Sequence, residues 1–198
     1  MTAWLMNSAL ILASKSPRRR DLLMQVGLSF AVVPSNVRER ATPGASPEEH
    51  VRCLAEAKAA DVAARNPDKW VLGADTEVVI DHSVLGKPRD PAEAGHMLRT
   101  LSGKIHRVVT GYCVRCEERR RSVSDTVETK VQFRPLTEAD IEWYINTGEP
   151  FDKAGGYAAQ GLGTVLIKRI EGSYTNVVGL PVCEVMERLL EEGIVRRQ

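Results

Sequence analysis

Four helix starts written in the same chemistry constrain this chain more than any other feature. Ser16-Pro17, Ser46-Pro47-Glu48-Glu49, Asp90-Pro91-Ala92-Glu93 and Thr137-Glu138-Ala139-Asp140 each place a side-chain oxygen where it can cap a helix. The last three add an acid three positions on, the second half of a capping box. Proline suits the first helical position because that N–H has no partner in the helix. Short apolar runs lie between these starts, at residues 9–13, 29–34 and 70–80, the last read as a strand interrupted near Gly73. Two β-rich runs at 105–115 and 123–134 follow as a hairpin, then a strand at 164–170 and a last helix from Pro181 to near Gly193. The order is strand, helix, strand, helix, strand, helix, hairpin, helix, strand, helix. That order predicts an α/β fold with a mixed central β-sheet and flanking helices. No repeat or linker interrupts it, so residues 1–198 read as a single domain.

Composition narrows the functional classes. Hydrophobic residues at 43% and charged residues at 27% are ordinary values for a globular protein. A formal net charge of +1 makes neither nucleic acid nor an anionic membrane an expected partner, so any anion site must be local. The run at 9–13 is too short for a signal-peptide core or a membrane span, and a cytoplasmic location is expected. Of the four cysteines, Cys113 and Cys116 have the gap of a zinc knuckle. They have no second pair, and on a strand they fall on opposite faces, so they are expected to be structural thiols.

Residues 72–88 hold the first candidate chemistry. Asp75 interrupts an apolar strand, with Glu77 on the same face, and Lys87 follows a short turn between Gly86 and Pro88. Asp75 reads either as a solvent-facing strand residue or as a ligand for Mg²⁺, which takes a few carboxylates with water and phosphate oxygens. The segment Ser14-Lys15-Ser16-Pro17-Arg18-Arg19-Arg20 crosses from strand to helix. Three arginines in a first helical turn oppose the dipole by about 0.3–1 kcal/mol each, and a bound phosphate would offset them. The alternative is pairing with surface acids such as Glu39 or Glu48.

The second helix predicts an inward stripe of Val51, Leu54, Ala55, Lys58 and Val62. Lys58 either snorkels or turns its ammonium to a ligand. Residues 149–163 form a long loop with five glycines or prolines together with Asp152, Lys153 and Gln160. Gln160 carries a donor and an acceptor, suited to a pyrimidine edge or to plain solvent.

Taken together, these segments resemble the Maf proteins, nucleoside-triphosphate pyrophosphatases. The resemblance rests on residues 12–19, Ala55 to Lys58, Leu72-Gly73-Ala74-Asp75-Thr76, Gly86-Lys87-Pro88, Leu101-Ser102-Gly103, His106, Thr110, residues 148–155, Gln160-Gly161 and Gly179-Leu180-Pro181. It implies an inosine-triphosphatase-like fold of two lobes around a nucleotide-binding cleft, and hydrolysis of the α–β phosphoanhydride. The loop from Asp152 to Gln160 is similar to the branch that prefers dTTP and UTP. By that resemblance Asp75 is the proton acceptor, and Arg18, Thr76 and Gln160 help select the base. Glu39, Lys58 and Lys87 complete the site, with Ser14, Ser16 and Arg19 among the substrate contacts.

The same resemblance implies a divalent metal, Mg²⁺ or Mn²⁺, at Asp75 and Glu39. The expected partners are a nucleoside triphosphate substrate and, as the commonest assembly, a second copy of the chain in a homodimer. Arg38 and Glu77 depart from the family pattern, where an acid and an apolar residue are usual. Two other readings stay open here: the same chemistry on another base, such as 7-methyl-GTP or inosine triphosphate, and a nucleotide-binding regulator of cell division without catalysis.

Overall fold

The computed structural model describes residues 4–38 and 44–198. In chain order the elements are β1 (Trp4–Met6), β2 (Leu10–Leu12), α1 (Pro17–Gln25), β3 (Ala31–Val32), α2 (Pro47–Ala63), β4 (Trp70–Ile80), β5 (Ser83–Leu85) and α3 (Pro91–Leu101). There follow β6 (Ile105–Cys116), β7 (Arg121–Phe133), α4 (Glu138–Asn146), β8 (Ile167–Glu171), α5 (Tyr174–Val178), α6 (Val182–Glu191) and β9 (Val195–Arg197). A mixed sheet runs in the order β3-β2-β4-β6-β7-β8, with β5 paired to β4. Strands β2, β3 and β4 are parallel, as helical crossovers require, whereas β7 and β8 are antiparallel. This is the expected mixed α/β architecture.

The chain divides into two compact units, one of residues 1–75, 110–127 and 179–198, the other of residues 76–109 and 128–178. Strands β4, β6 and β7 therefore each give one half to each unit. In the first unit Ile11, Ala13, Ala55, Ala59, Val62 and Val71 form an apolar cluster. The small side chains on α2 let the helix lie close to the sheet, and Gly73 shows how close: a Cβ there would sit 2.3 Å from the Ala55 carbonyl oxygen and 2.8 Å from the Ala59 nitrogen. The second unit has the larger side chains. Leu98 and Leu101 of α3, Ile141 and Tyr144 of α4, and Val131 and Phe133 of β7 pack with Tyr157 and Leu166.

Three of the four helix starts are capped as expected, two of them as complete capping boxes; at the third the Glu93 carboxylate accepts from the Arg89 N–H instead of the Asp90 N–H. Ser46 accepts from the Glu49 N–H while Glu49 returns a bond to the Ser46 N–H, and Thr137 and Asp140 repeat the exchange. Asp90 accepts from the Glu93 N–H at 2.8 Å. The fourth start differs. Ser16 occupies the N-cap position of α1 without a side-chain cap bond; instead its own N–H donates to the Ser14 hydroxyl at 3.1 Å. The loop from strand to helix is thus folded on Ser14, and the hydroxyl expected to cap the helix does not.

Other departures have local causes. The strand expected at 29–34 shortens to Ala31–Val32, and β4 runs unbroken through Gly73 because the glycine serves helix packing rather than a bend. Residues 149–163 are wound into 3-10 turns at Glu149–Asp152 and Ala154–Gly156, with a further turn at Leu162–Leu166 that takes the first residues expected of the last strand. The loop at 172–179 contains the short helix α5. Strands β1 and β9 pair antiparallel near the chain ends; three residues each are too few for a periodicity to declare them. Cys113 and Cys116 are both buried and point to different partners, Ser122 Oγ and the Pro67 carbonyl, so they form no metal knuckle.

Candidate active site

In the first unit the site grows from Gly73. Because α2 lies against that glycine, a side chain one turn of α2 away can reach the next inward position of β4, which is Asp75. Lys58 does so. Its Nζ donates to Asp75 Oδ1 at 2.5 Å, with Lys58 9% and Asp75 8% exposed. Of the two sequence readings of Lys58, snorkelling to solvent is the one the structure rules out. Asp75 likewise is not a solvent-facing strand residue. Glu77, on the same face, is half-buried.

Arg19 is the second buried charge. Its Nε donates to the Gly179 carbonyl at 2.7 Å, and a terminal nitrogen donates to the Ala74 carbonyl at 2.8 Å and to Ser14 Oγ at 3.4 Å. One side chain thus ties the first turn of α1 to the residue before Asp75 and to the backbone leading into α6. Arg18 and Ser16, on the same turn, are half-buried, and Arg20 is exposed beside Asp21 at 3.1 Å. The arginine cluster therefore splits into a buried strut, a half-buried cation at the helix start and a surface ion pair. Sequence spacing alone does not distinguish these three roles.

In the second unit Thr76, the residue after Asp75, is half-buried, and Lys87 and Gln160 are exposed. The turn carrying Lys87 is fastened to the glycine-rich segment by a hydrogen bond from the Gly155 N–H to the Gly86 carbonyl, 2.9 Å. Gly155 has φ +71°, and a Cβ there would collide with Val78 at 2.9 Å, so the approach needs glycine. Tyr157, next in the chain, is buried with its hydroxyl 2.7 Å from His106 Nε2, and both rings stand edge-on to Phe133. Burial pushes the His106 ring down to about 4 and raises the Tyr157 phenol.

The structure therefore joins Ser14 to Arg19 and Lys58 to Asp75 by direct contacts, and Arg19 also bonds the carbonyl of Ala74, the residue before Asp75. Ser16 and Arg18 lie on the same helix start; Lys87 is tied by backbone to the segment that leads to Gln160. Glu39 lies outside the described residues. Glu149 and Tyr144 accept from the backbone on either side of Gln160; the run Gly148-Glu149-Pro150 belongs to the family pattern, but nothing in it announces what its carboxylate binds.

A mixed α/β protein with a buried carboxylate–lysine pair at a strand centre and an arginine-bearing helix start beside it belongs among enzymes and binding proteins for phosphorylated ligands. The comparison with known families makes the class specific. The family model described as "Maf-like protein" matches residues 9–192, and the chain belongs to that family. Among its relatives is a protein of Syntrophotalea carbinolica named dTTP/UTP pyrophosphatase, 51% identical over 192 residues, or 96% of this chain and 87% of the relative. Proteins of the same name from Bacillus velezensis and Geobacter metallireducens are 49% and 48% identical, covering 96% and 94% of this chain and 99% and 97% of their own.

Proposed function

We propose that this protein hydrolyses dTTP and UTP to the nucleoside monophosphate and pyrophosphate. Relatives near 50% identity over almost their whole length bear that name, and one observation carries the chemistry: the buried Asp75 carboxylate with the Lys58 ammonium at 2.5 Å. In this reading a water oxygen attacks the α-phosphorus and the bond from that phosphorus to the bridging oxygen breaks. Asp75 accepts the proton of the water, and pyrophosphate leaves with the bridging oxygen. Lys58 holds the carboxylate in one orientation, so that no side-chain freedom is lost at the moment of reaction.

The remaining site residues take roles by their chemistry. Arg18 and Lys87 neutralise charge on the phosphates, where a split anhydride needs it most. Ser14 and Ser16 shape the loop ahead of α1, and Arg19 is its strut. Thr76 and Gln160 select the base, Gln160 by pairing its amide with the donor and acceptor of a pyrimidine edge. The two units act as the two lobes of one domain, and the protein works in the cytoplasm on a free nucleotide. Among the described residues no helix is long and apolar enough to cross a membrane.

A divalent cation belongs to this reading. Among the described residues no three His, Cys, Asp or Glu side chains gather into a cage. Mg²⁺ and its like are held by one or two carboxylates, with water and substrate phosphates completing the shell, and Asp75 fits that donor set. Asp75 and Glu39 would hold it, and when bound it supplies charge neutralisation on the phosphates.

The test is a panel of nucleoside triphosphates read by pyrophosphate release, run with wild type and Asp75→Asn. Turnover of dTTP and UTP well above that of purine nucleotides is expected, with a loss of at least about 10³-fold in the folded variant. Equal turnover across the panel would remove the pyrimidine preference, and an active Asp75→Asn would remove Asp75 from the chemistry.

A further inference from the structure

Gln160 is exposed, yet the backbone on either side of it is fastened at several points. On the near side the Ala158 N–H donates to Tyr144 Oη at 3.0 Å. On the far side the Leu162 N–H donates to Glu149 Oε1 at 3.0 Å and the Gly163 N–H to Glu149 Oε2 at 2.8 Å. The two anchors are themselves joined, for the Tyr144 hydroxyl donates to Glu149 Oε2 at 2.7 Å. The Thr164 hydroxyl closes the segment by donating to the Ala159 carbonyl at 2.8 Å.

Two glycines are cut to fit this carboxylate and hydroxyl. Gly161 has φ +114°, and a Cβ on it would stand 2.2 Å from Glu149 Oε1. A Cβ on Gly163 would meet the Ala158 carbonyl at 2.4 Å and the Tyr144 hydroxyl at 2.6 Å. Tyr144 is fully buried, and Glu149 is half-buried against the end of α4. Desolvation acts to raise the Glu149 carboxyl, but the bonds from Tyr144, Gly163 and Leu162 outweigh it and the group is held below its ordinary value. It remains ionised and acceptor-only across the working pH range, which suits a carboxylate that must receive three donors.

We propose that Glu149 and Tyr144 are positioning residues for base selection, clamping residues 158–163 so that the Gln160 side chain is presented in one place. The inference rests on the reading of Gln160 as the base-reading residue. Its physical content is pre-organisation: an amide that must match a donor–acceptor pair on the base discriminates only if the backbone carrying it does not wander.

The experiment compares wild type, Gln160→Ala, Glu149→Gln, Tyr144→Phe and the Glu149→Gln/Gln160→Ala double variant. Each is assayed for kcat and KM on dTTP and dATP, and amide hydrogen exchange is followed across residues 158–163. Glu149→Gln keeps the shape but offers one acceptor oxygen in place of two. It is expected to speed exchange at Leu162 and Gly163 and to lower the dTTP-to-dATP preference by about tenfold, the worth of a lost charge-assisted hydrogen bond. The loss should fall on KM for dTTP more than on kcat. In the double variant the preference should be no lower than in Gln160→Ala alone. Tyr144→Phe, which changes no charge, should shift the preference the same way by a smaller factor, and it decides the matter if Glu149→Gln does not fold.

If Gln160→Ala lowers the preference while folded Glu149→Gln and Tyr144→Phe leave it unchanged, the clamp is overturned and the Gln160 reading stands. An equal loss on both nucleotides in the clamp variants also overturns it, since a merely structural role predicts that. If Gln160→Ala leaves the preference intact, the Gln160 reading itself fails and the inference falls with it.

Discussion

Lys58 Nζ lies 2.5 Å from Asp75 Oδ1, two buried groups brought together because Gly73 lets α2 settle on β4. Each charge is the other's solvation. Lys58→Met removes the cation while leaving the carboxylate buried, and a broken buried pair costs about 3–5 kcal/mol. Chemical denaturation of Lys58→Met should show a loss of that size. Lys58→Met/Asp75→Leu should recover much of the loss while staying inactive, because two apolar groups satisfy each other but neither accepts a proton. A Lys58→Met protein as stable as wild type would mean that the pair contributes nothing to the fold.

Gly73→Ala tests the same geometry from the backbone side. The added methyl meets the Ala55 carbonyl and the Ala59 nitrogen at 2.3 and 2.8 Å, and neither is a flexible side chain that can step aside. Overpacking of this kind costs about 1–3 kcal/mol or more, and the helix that must move carries Lys58. The expected result is lower stability together with lower turnover. Gly86→Ala is the control: nothing lies within 4 Å of a Cβ there, and a stability change within about 0.5 kcal/mol is expected.

How much of this was legible beforehand follows from which interactions are local. Capping boxes and alternating strands are written in neighbouring residues, so α2, α3, α4, β6 and β7 could be read directly, and β4 in its bounds though not in its continuity through Gly73; β5, in a stretch that reads as the turn leading to Lys87, could not. The inward stripe of α2 was equally plain, Lys58 included, since every member it named is buried. What the stripe could not say is where its lysine ends, because that depends on contact with Gly73, a partner outside the helix. Ser16 shows the opposite failure. Its local pattern favours a cap, but Ser14 and Arg19 reorganise the loop, and Arg19 is held by Ala74 and Gly179, 55 and 160 residues away. Residues 149–163 read as a glycine-rich segment, yet the backbone is held at Ala158, Leu162 and Gly163 by the Tyr144 hydroxyl and the Glu149 carboxylate, acceptors that composition does not assign to it.

Arg19 offers a direct test of that long-range strut. Its fork covers the Gly179 and Ala74 carbonyls from two nitrogens, and a lysine has a single ammonium on a differently shaped stem. Arg19→Lys therefore leaves at least one of these buried carbonyls without its donor, at about 1–3 kcal/mol. Thermal melting should show the loss, and KM for the nucleotide should rise because the loop ahead of α1 is no longer held. Melting and KM unchanged from wild type would show that the arginine acts through its charge alone.

His106 gives the fold a pH dependence of defined sign. It is 1% exposed, its Nε2 lies 2.7 Å from the Tyr157 hydroxyl, and its Nδ1 is buried without a hydrogen-bond partner among the described residues. Burial lowers its folded value from the model-compound 6.5 to about 4. Between those values the unfolded chain binds a proton that the folded chain does not, so protons favour unfolding there. The contribution of the neutral ring is complete above about pH 6.5 and is lost as pH falls toward 4; below that both states are protonated and no further loss arises from this group. At pH 5 the deficit is roughly 2 kcal/mol, from about 1.4 kcal/mol per pH unit over the interval. Urea midpoints at pH 7.5 and pH 5 for wild type and His106→Gln should therefore differ in slope. The wild type should lose roughly 2 kcal/mol more than the variant over that range, the variant starting lower at pH 7.5 through poorer packing against Phe133. Identical losses in the two proteins would mean that His106 does not titrate between its folded and unfolded states in this window.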